Sequence, residues 1–292
     1  MGRIDGVQAS EHSGDLLMAP RRDDRRLARP ASFGWRVATA KLRMLPSFLI
    51  VGAMKSGTSS LFNYLSRCDG VAPPYRKETH YFGPGLRAGR SEAWYRAHFP
   101  MRRPGRFGPV TGEATPDYSV EPGAAEAIHA MMPHARIVFV LRDPVERAIS
   151  HYFHEVRMGR ETLPIGEAMR LEPRRLDAAR RAGPAGIETL MHANYVARGR
   201  YHEQVARYRS LFTEERVLVV NARTLFEDPA ACCASITEFL DLPPCDLGGG
   251  LPVRNKGENR TEVPGDVRSF LADQFEAHDA RLWALLGRKM DW

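Results

Sequence analysis

Along this chain, short and wholly apolar runs alternate with longer stretches whose apolar positions recur every three or four residues. The runs are Phe48-Leu49-Ile50-Val51, Ile137-Val138-Phe139-Val140-Leu141 and Val217-Leu218-Val219-Val220. Each is short, rich in branched side chains and free of polar interruption, which predicts strands covered on both faces, as in a parallel sheet. Gly112-Glu113-Ala114-Thr115-Pro116 reads as a further short strand ending in a turn. Between the runs, Leu61 and Leu65 stand four apart and predict a helix that faces the sheet. Helices are also predicted over Ala124 to Met132, Asn194 to Phe212 and around Ile236 to Leu240. Asp143 can cap a helix with Pro144 in its first turn and Glu146 at the capping-box position; Val145, Ile149 and Tyr152 or Phe153 form its inner stripe. A final amphipathic helix follows Pro264 and stops at Gly287. This alternation predicts an α/β fold with an open parallel sheet flanked by helices, and leaves strand order undetermined. Residues 76–107 are rich in Gly, Pro, Arg and aromatics and predict a long loop beside a site; the Pro/Gly/Arg-rich interval through Gly186 is assigned the same role.

Composition bounds this picture without changing it. With 292 residues, 43% of them hydrophobic and 26% charged, the chain can build one substantial α/β domain or two small ones. No apolar run approaches the roughly 20 residues that span a bilayer, so no transmembrane segment is expected. The opening residues lack the basic-then-apolar order of a secretory signal, and a cytoplasmic location is expected. The four cysteines show no metal-ligand spacing, and adjacent Cys232 and Cys233 suit a reduced interior better than a disulfide framework. No metal site is expected. The net charge of +7 points to anionic ligands. Between Arg21 and Arg43 there are eight basic and two acidic residues. That surplus predicts a flexible, solvated arm over residues 1–45, with the ordered domain over 46–292. No basic recognition helix or aromatic RNA-binding signature follows, so no specific nucleic-acid partner is expected.

Two segments carry candidate chemistry. Gly52-Ala53-Met54-Lys55-Ser56-Gly57-Thr58-Ser59-Ser60 joins a predicted strand to a predicted helix. Backbone N–H groups converge at such a turn, and the helix terminus favours an anion. Lys55 adds a positive charge and the hydroxyls add donors. Lys55 precedes Gly57 by two positions, whereas a Walker A loop places Gly, Lys and Ser/Thr together at its end. That difference disfavours a metal-dependent nucleotide hydrolase or an ATP-using kinase. The second segment runs from Arg142 to Ser150. Arg142 stands at the carboxyl end of a strand, where ligands collect in open α/β sheets, and Ser150 lies a little over two turns into the next helix. Guanidinium and hydroxyl together can clamp a phosphate, although Arg142 can equally pair with Asp143 or Glu146.

The stretches PSFLIVGAMKSGTSSL, KETHYF, GEATPDY, VFVLRDPVERAISHY and a late KGENR, taken in order, resemble the superfamily of sulfotransferases dependent on 3'-phosphoadenosine 5'-phosphosulfate (PAPS). The likeness is to the branch of the heparan sulfate N- and 3-O-sulfotransferases and their bacterial relatives. It runs from about Pro46 to the C-terminus and includes GRYHEQVARYRSLF at Gly199 to Phe212. The resemblance implies a P-loop-like sulfotransferase fold and an enzyme that moves a sulfuryl group from PAPS to an acceptor, releasing PAP.

On that resemblance Lys55, Ser56, Gly57, Thr58, Ser59 and Ser60 form the 5'-phosphosulfate loop, with Lys55 neutralising the leaving phosphate. Arg142 and Ser150 become 3'-phosphate ligands. Lys256, Gly257 and Arg260 match a loop that wraps over the nucleotide, although Glu258-Asn259 separates Gly257 from Arg260 where relatives often join them. Glu78 becomes the general base, and His80 an alternative base or an orienting partner. Ala114 stands where the glycosaminoglycan enzymes commonly carry lysine, so another basic residue such as Lys77 is a candidate to assist. Glu113 is either an orienting group for Lys55 or the acceptor, or a buried capping carboxylate. The expected acceptor is a carbohydrate, a phenol or another hydroxylated small molecule, with an amine less favoured. A noncatalytic protein that binds PAP or a polyanion is the competing reading.

Overall fold

In the computed structural model of the chain, residues 32–102, 110–245 and 262–292 are described. Four strands, β1 (Phe48–Gly52), β2 (Gly112–Ala114), β3 (Arg136–Leu141) and β4 (Val217–Asn221), pair in the order β2-β1-β3-β4. All three pairings are parallel, with Phe48 opposite both Gly112 and Arg136, and Ile137 opposite Val217. The β1–β3 register shifts between Ile50 and Gly52, where the strand gives way to the loop that follows it.

The helices are α1 (Phe33–Ala38), α2 (Thr58–Leu65), α3 (Glu92–Arg96), α4 (Ala124–Met131), α5 (Pro144–Arg157) and α6 (Ile165–Arg181). There follow α7 (Ile187–His192), α8 (Tyr201–Arg209), α9 (Ala222–Glu227), α10 (Pro229–Phe239) and α11 (Gly265–Leu286). Because successive strand residues point to opposite faces, each strand feeds two cores. Leu49, Val51, Ile137 and Phe139 pack with Ile128 of α4, Val205 and Tyr208 of α8 and Leu282 of α11. Phe48, Ile50, Val138 and Val140 pack on the other face with Leu61 and Leu65 of α2 and Ile236 of α10. The expected apolar strands, open parallel sheet and flanking helices are all present. Among the described residues no helix is long and apolar enough to cross a membrane.

Several boundaries differ from the sequence reading, each for a physical reason. Residues 32–45, assigned to the flexible arm, are folded onto the domain. Arg36 donates to the carbonyls of Ala97 (2.6 Å) and Phe99 (3.1 Å), and the buried Arg43 donates to Phe99 O (3.0 Å) and Arg36 O (2.9 Å). Two of the basic residues that suggested a solvated arm are therefore spent on backbone carbonyls; residues 1–31 lie outside the described residues. The helix expected over Asn194 to Phe212 begins only at Tyr201. The Glu172 carboxylate accepts the N–H groups of Tyr195, Val196 and Ala197 (2.5–2.8 Å), which holds that stretch out of an α-helix. The Pro/Gly/Arg-rich interval contains α6, whose apolar stripe of Ala168, Met169, Leu176 and Ala179 is buried despite Pro173. On α5, Ile149 and Tyr152 face inward as expected, but so do Arg147, His151 and Glu155.

Two of the cysteines also depart from expectation. Cys68 and Cys245 form a disulfide across 177 positions, with Cα atoms 5.2 Å apart. Cys232 and Cys233 are free and buried. A pairing over that separation leaves no local spacing for the sequence to reveal.

Candidate active site

The loop after β1 is shaped by two residues in the left-handed region, Lys55 (φ 70°) and Gly57 (φ 95°). Glycine suits the second position on two counts: its φ is positive, and a Cβ there would lie 2.7 Å from the Phe226 ring. Helix α2 starts at Thr58, immediately after the turn. Ser56, Thr58 and Ser60 are buried, whereas Lys55 and Ser59 remain partly exposed. Arg142 leaves the end of β3 and reaches back, with Nη1 3.4 Å from the Lys55 carbonyl. Its other nitrogen lies 3.6 Å from Glu146, which Arg268 of α11 also contacts. The phenol of Tyr201 donates to the Arg142 carbonyl (2.9 Å), bracing this corner from α8. Asp143 caps α5 as expected by accepting from the N–H groups of Val145 (2.7 Å) and Glu146 (3.2 Å).

The structure thus brings Lys55 and Arg142 together, with Ser150 on the partly exposed side of α5. Burial lowers the Lys55 ammonium pKa, the nearby charges of Arg157 and Arg142 lower it further, and Glu155 opposes them. A cationic corner of this kind is one that an added anion relieves. Lys256, Gly257 and Arg260 lie outside the described residues.

Opposite the loop stands Lys77-Glu78-Thr79-His80. Lys77 Nζ donates to Ser59 Oγ (2.6 Å) and also contacts the Glu78 carboxylate. The other Glu78 oxygen lies 3.4 Å from His80 Nε2, and His80 Nδ1 lies 3.7 Å from Asp117. Asp117 in turn accepts from Arg198 (2.6 Å). Burial alone would raise the Glu78 pKa, but the His80 interaction and the Lys77 charge outweigh it, leaving the carboxyl below its ordinary range. For His80, burial lowers the pKa while Glu78 and Asp117 raise it, and the carboxylates prevail. Glu78 is therefore held as an anion by a protonation-prone imidazole.

Glu113 takes a different part. It is fully buried and accepts from Thr79 N (3.2 Å), Thr79 Oγ1 (2.7 Å), Tyr95 OH (2.7 Å) and Thr115 Oγ1 (3.1 Å). It fixes the loop that carries Glu78 and His80. Burial raises its own pKa in spite of those donors. Next to it, Ala114 donates its N–H to the Lys77 carbonyl (3.1 Å). Lys77 therefore lies alongside the position that lacks a lysine. Sequence reasoning missed Asp117 and Arg198. Asp117 lies inside the quoted GEATPDY stretch, where its acidity was a usable signal; Arg198 is 81 positions away and offers none.

The chain is similar to several known proteins. Residues 124–247 match the family described as Sulfotransferase domain. A crystal structure of a sulfotransferase from Alicyclobacillus acidocaldarius is 32% identical, covering 85% of this chain and 98% of that one, with a TM-score of 0.68. The human heparan sulfate glucosamine 3-O-sulfotransferase 6 is 28% identical over 90% of this chain and 79% of its own length. A membrane-associated sulfotransferase of Dictyostelium discoideum, kil1, is 23% identical over 86% of this chain and 67% of its own length.

Proposed function

Since the chain belongs to the sulfotransferase family, whose sulfuryl donor is PAPS and whose nucleotide product is PAP, we propose that it sulfates a hydroxyl group of a carbohydrate or another small hydroxylated acceptor, with Glu78 as general base. The observation that carries this reading is the continuous polar chain Ser59–Lys77–Glu78–His80–Asp117–Arg198. It joins the donor loop to a carboxylate that is partly exposed and ionised, as a base must be before it accepts a proton.

In the proposed reaction the acceptor oxygen attacks sulfur and forms a new S–O bond. The bond from sulfur to the bridging oxygen of PAPS breaks, and its electron pair leaves with PAP. The acceptor proton passes to Glu78. Lys55 and the amides of the loop stabilise charge on the leaving phosphate. Ser56, Thr58 and Ser60 supply further donors at the loop, and Arg142 with Ser150 takes the 3'-phosphate. Lys77 bridges the two halves and supplies the charge that Ala114 cannot. His80, held between two carboxylates, orients Glu78 rather than replacing it. Lys256, Gly257 and Arg260 are assigned to the nucleotide on the resemblance alone.

The acceptor assignment rests on Glu78 and on the family. A hydroxyl needs its proton removed during attack, and a carboxylate within hydrogen-bond reach supplies that step. The relative acting on heparan sulfate supports a carbohydrate, while Ala114 argues against assuming that particular polymer. The cytoplasmic expectation from sequence is kept as part of this reading.

A labelled-PAPS transfer screen tests it, with sugars, heparan fragments, phenols and aliphatic alcohols as acceptors and mass detection of products. A product gaining one sulfuryl group establishes transfer and acceptor class together. Glu78→Gln is the control: turnover is expected to fall by about 10²–10⁴-fold with PAP affinity retained. Normal turnover in that variant would remove Glu78 as the base.

A further inference from the structure

Away from the donor loop, α8 and α11 meet at side chains that the proposed reaction does not use. His202 Nδ1 and His278 Nδ1 lie 3.2 Å apart, and their rings are tilted with centroids 4.8 Å apart. A Glu203 carboxylate oxygen joins them, so that one ligand atom from each residue falls within 4.8 Å of the others. At the ~2.0–2.1 Å length of a zinc–imidazole bond, two nitrogens 3.2 Å apart subtend about 100° at a shared ion. That angle is near tetrahedral. Two imidazoles and a carboxylate are also the donor set that suits zinc and its neighbours among the divalent transition metals.

We propose that His202, Glu203 and His278 form a site for a divalent transition-metal ion of the zinc class, completed by water and clamping α8 to α11. The present Nδ1···Nδ1 contact requires one of the two nitrogens to carry a proton. Metal binding moves that proton to Nε2 or releases it, and both Nδ1 lone pairs then face the ion. The charges of Arg200 and Arg281 lie close enough to act on both rings. Those arginines also repel a dication, and Glu203 supplies the opposing charge. The clamp acts on the helix whose first residue, Tyr201, braces the Arg142 carbonyl at 2.9 Å. Its two histidines stand 76 positions apart, so no local spacing marks the pair in the sequence.

The test uses the full chain, stripped by a chelator and exchanged into metal-free buffer. It is titrated with Zn²⁺ alone by calorimetry and with Co²⁺ alone by visible absorption. One ion per chain is expected, with a cobalt spectrum of nitrogen and oxygen ligands. His202→Ala and His278→Ala should each weaken Zn²⁺ binding by at least the roughly 10–100-fold cost of losing even a supporting partner of a metal ligand. Glu203→Gln should weaken it less. Both histidines are partly exposed, and an unchanged circular dichroism spectrum of either variant confirms its fold. Absence of saturable binding, an affinity in both histidine variants equal to that of the parent, or a thiolate charge-transfer band placing cobalt on Cys232 or Cys233 would each overturn the proposal.

Discussion

The donor loop and the Lys77–His80 loop meet at the Ser59–Lys77 hydrogen bond, yet they are held by opposite means. The donor loop is shaped locally. Its turn depends on the left-handed backbone of Lys55 and Gly57, and α2 begins at the next residue. The second loop is held from a distance: Thr79 bonds Glu113, His80 faces Asp117, and Asp117 pairs with Arg198 across 81 positions. The same contrast separates the two glutamates. Glu78 sits among cations and stays ionised, while Glu113, surrounded by neutral donors, has a pKa raised by burial. One carboxylate is left ionised, as the proposed base must be, and the other holds a loop still. On the proposed reading, anion binding is encoded in a few adjacent residues, and proton removal in a network assembled by the fold.

Substitutions on the two sides should separate these roles. Beyond Glu78→Gln, Lys55→Ala is expected to have the largest effect, a fall in kcat of about 10²–10³-fold, as for loss of one preorganised charge-stabilising donor. Steady-state kinetics with a fixed acceptor measures it, and a normal kcat would break the assignment of Lys55 to the leaving phosphate. Glu113→Gln comes next and should act mainly on stability. Four donors converge on that carboxylate, and the amide NH2 can accept none of them, so a loss of about 1–3 kcal/mol is expected in denaturant melts. PAP affinity should hold while turnover drops. A variant of unchanged stability would show that the loop is fixed by something else.

Much of the fold was legible because the strands are buried on both faces and therefore apolar throughout. The donor loop was legible for a related reason: glycine, lysine and hydroxyls fall within nine consecutive residues. Arg36 and Arg43 show where such reading stops. Their charge looked like solvent exposure, but their partners are carbonyls about 60 positions away. Glu172 delayed the start of a predicted helix by accepting three N–H groups more than 20 positions downstream. The disulfide, Arg198 and the histidine pair escaped for the same reason, since tertiary contact alone brings their members together.

The smallest expected effect makes the sharpest test of the division between the two loops. Lys77→Met keeps much of the side-chain length and removes the charge that touches both Ser59 and Glu78. Losing one hydrogen bond to a charged group is worth about 1.5 kcal/mol at the low end, or roughly a tenfold fall in kcat. The pH profile tells more than the rate. Glu78 must be ionised to act as base, so activity is lost as pH falls through its pKa, and in the parent that acid limb lies below the ordinary carboxylate range. Removing the Lys77 charge raises the Glu78 pKa, and the limb moves to higher pH. His80→Asn should shift it the same way, because His80 also holds the carboxylate ionised. An acid limb that stays in place in both variants would mean that Glu78 does not set it, and the proton would have to leave the acceptor by another group. A limb that moves for His80→Asn alone would detach Lys77 from the base and leave it as a donor-loop residue only. The position of Lys77 beside Ala114 would then have no bearing on proton removal.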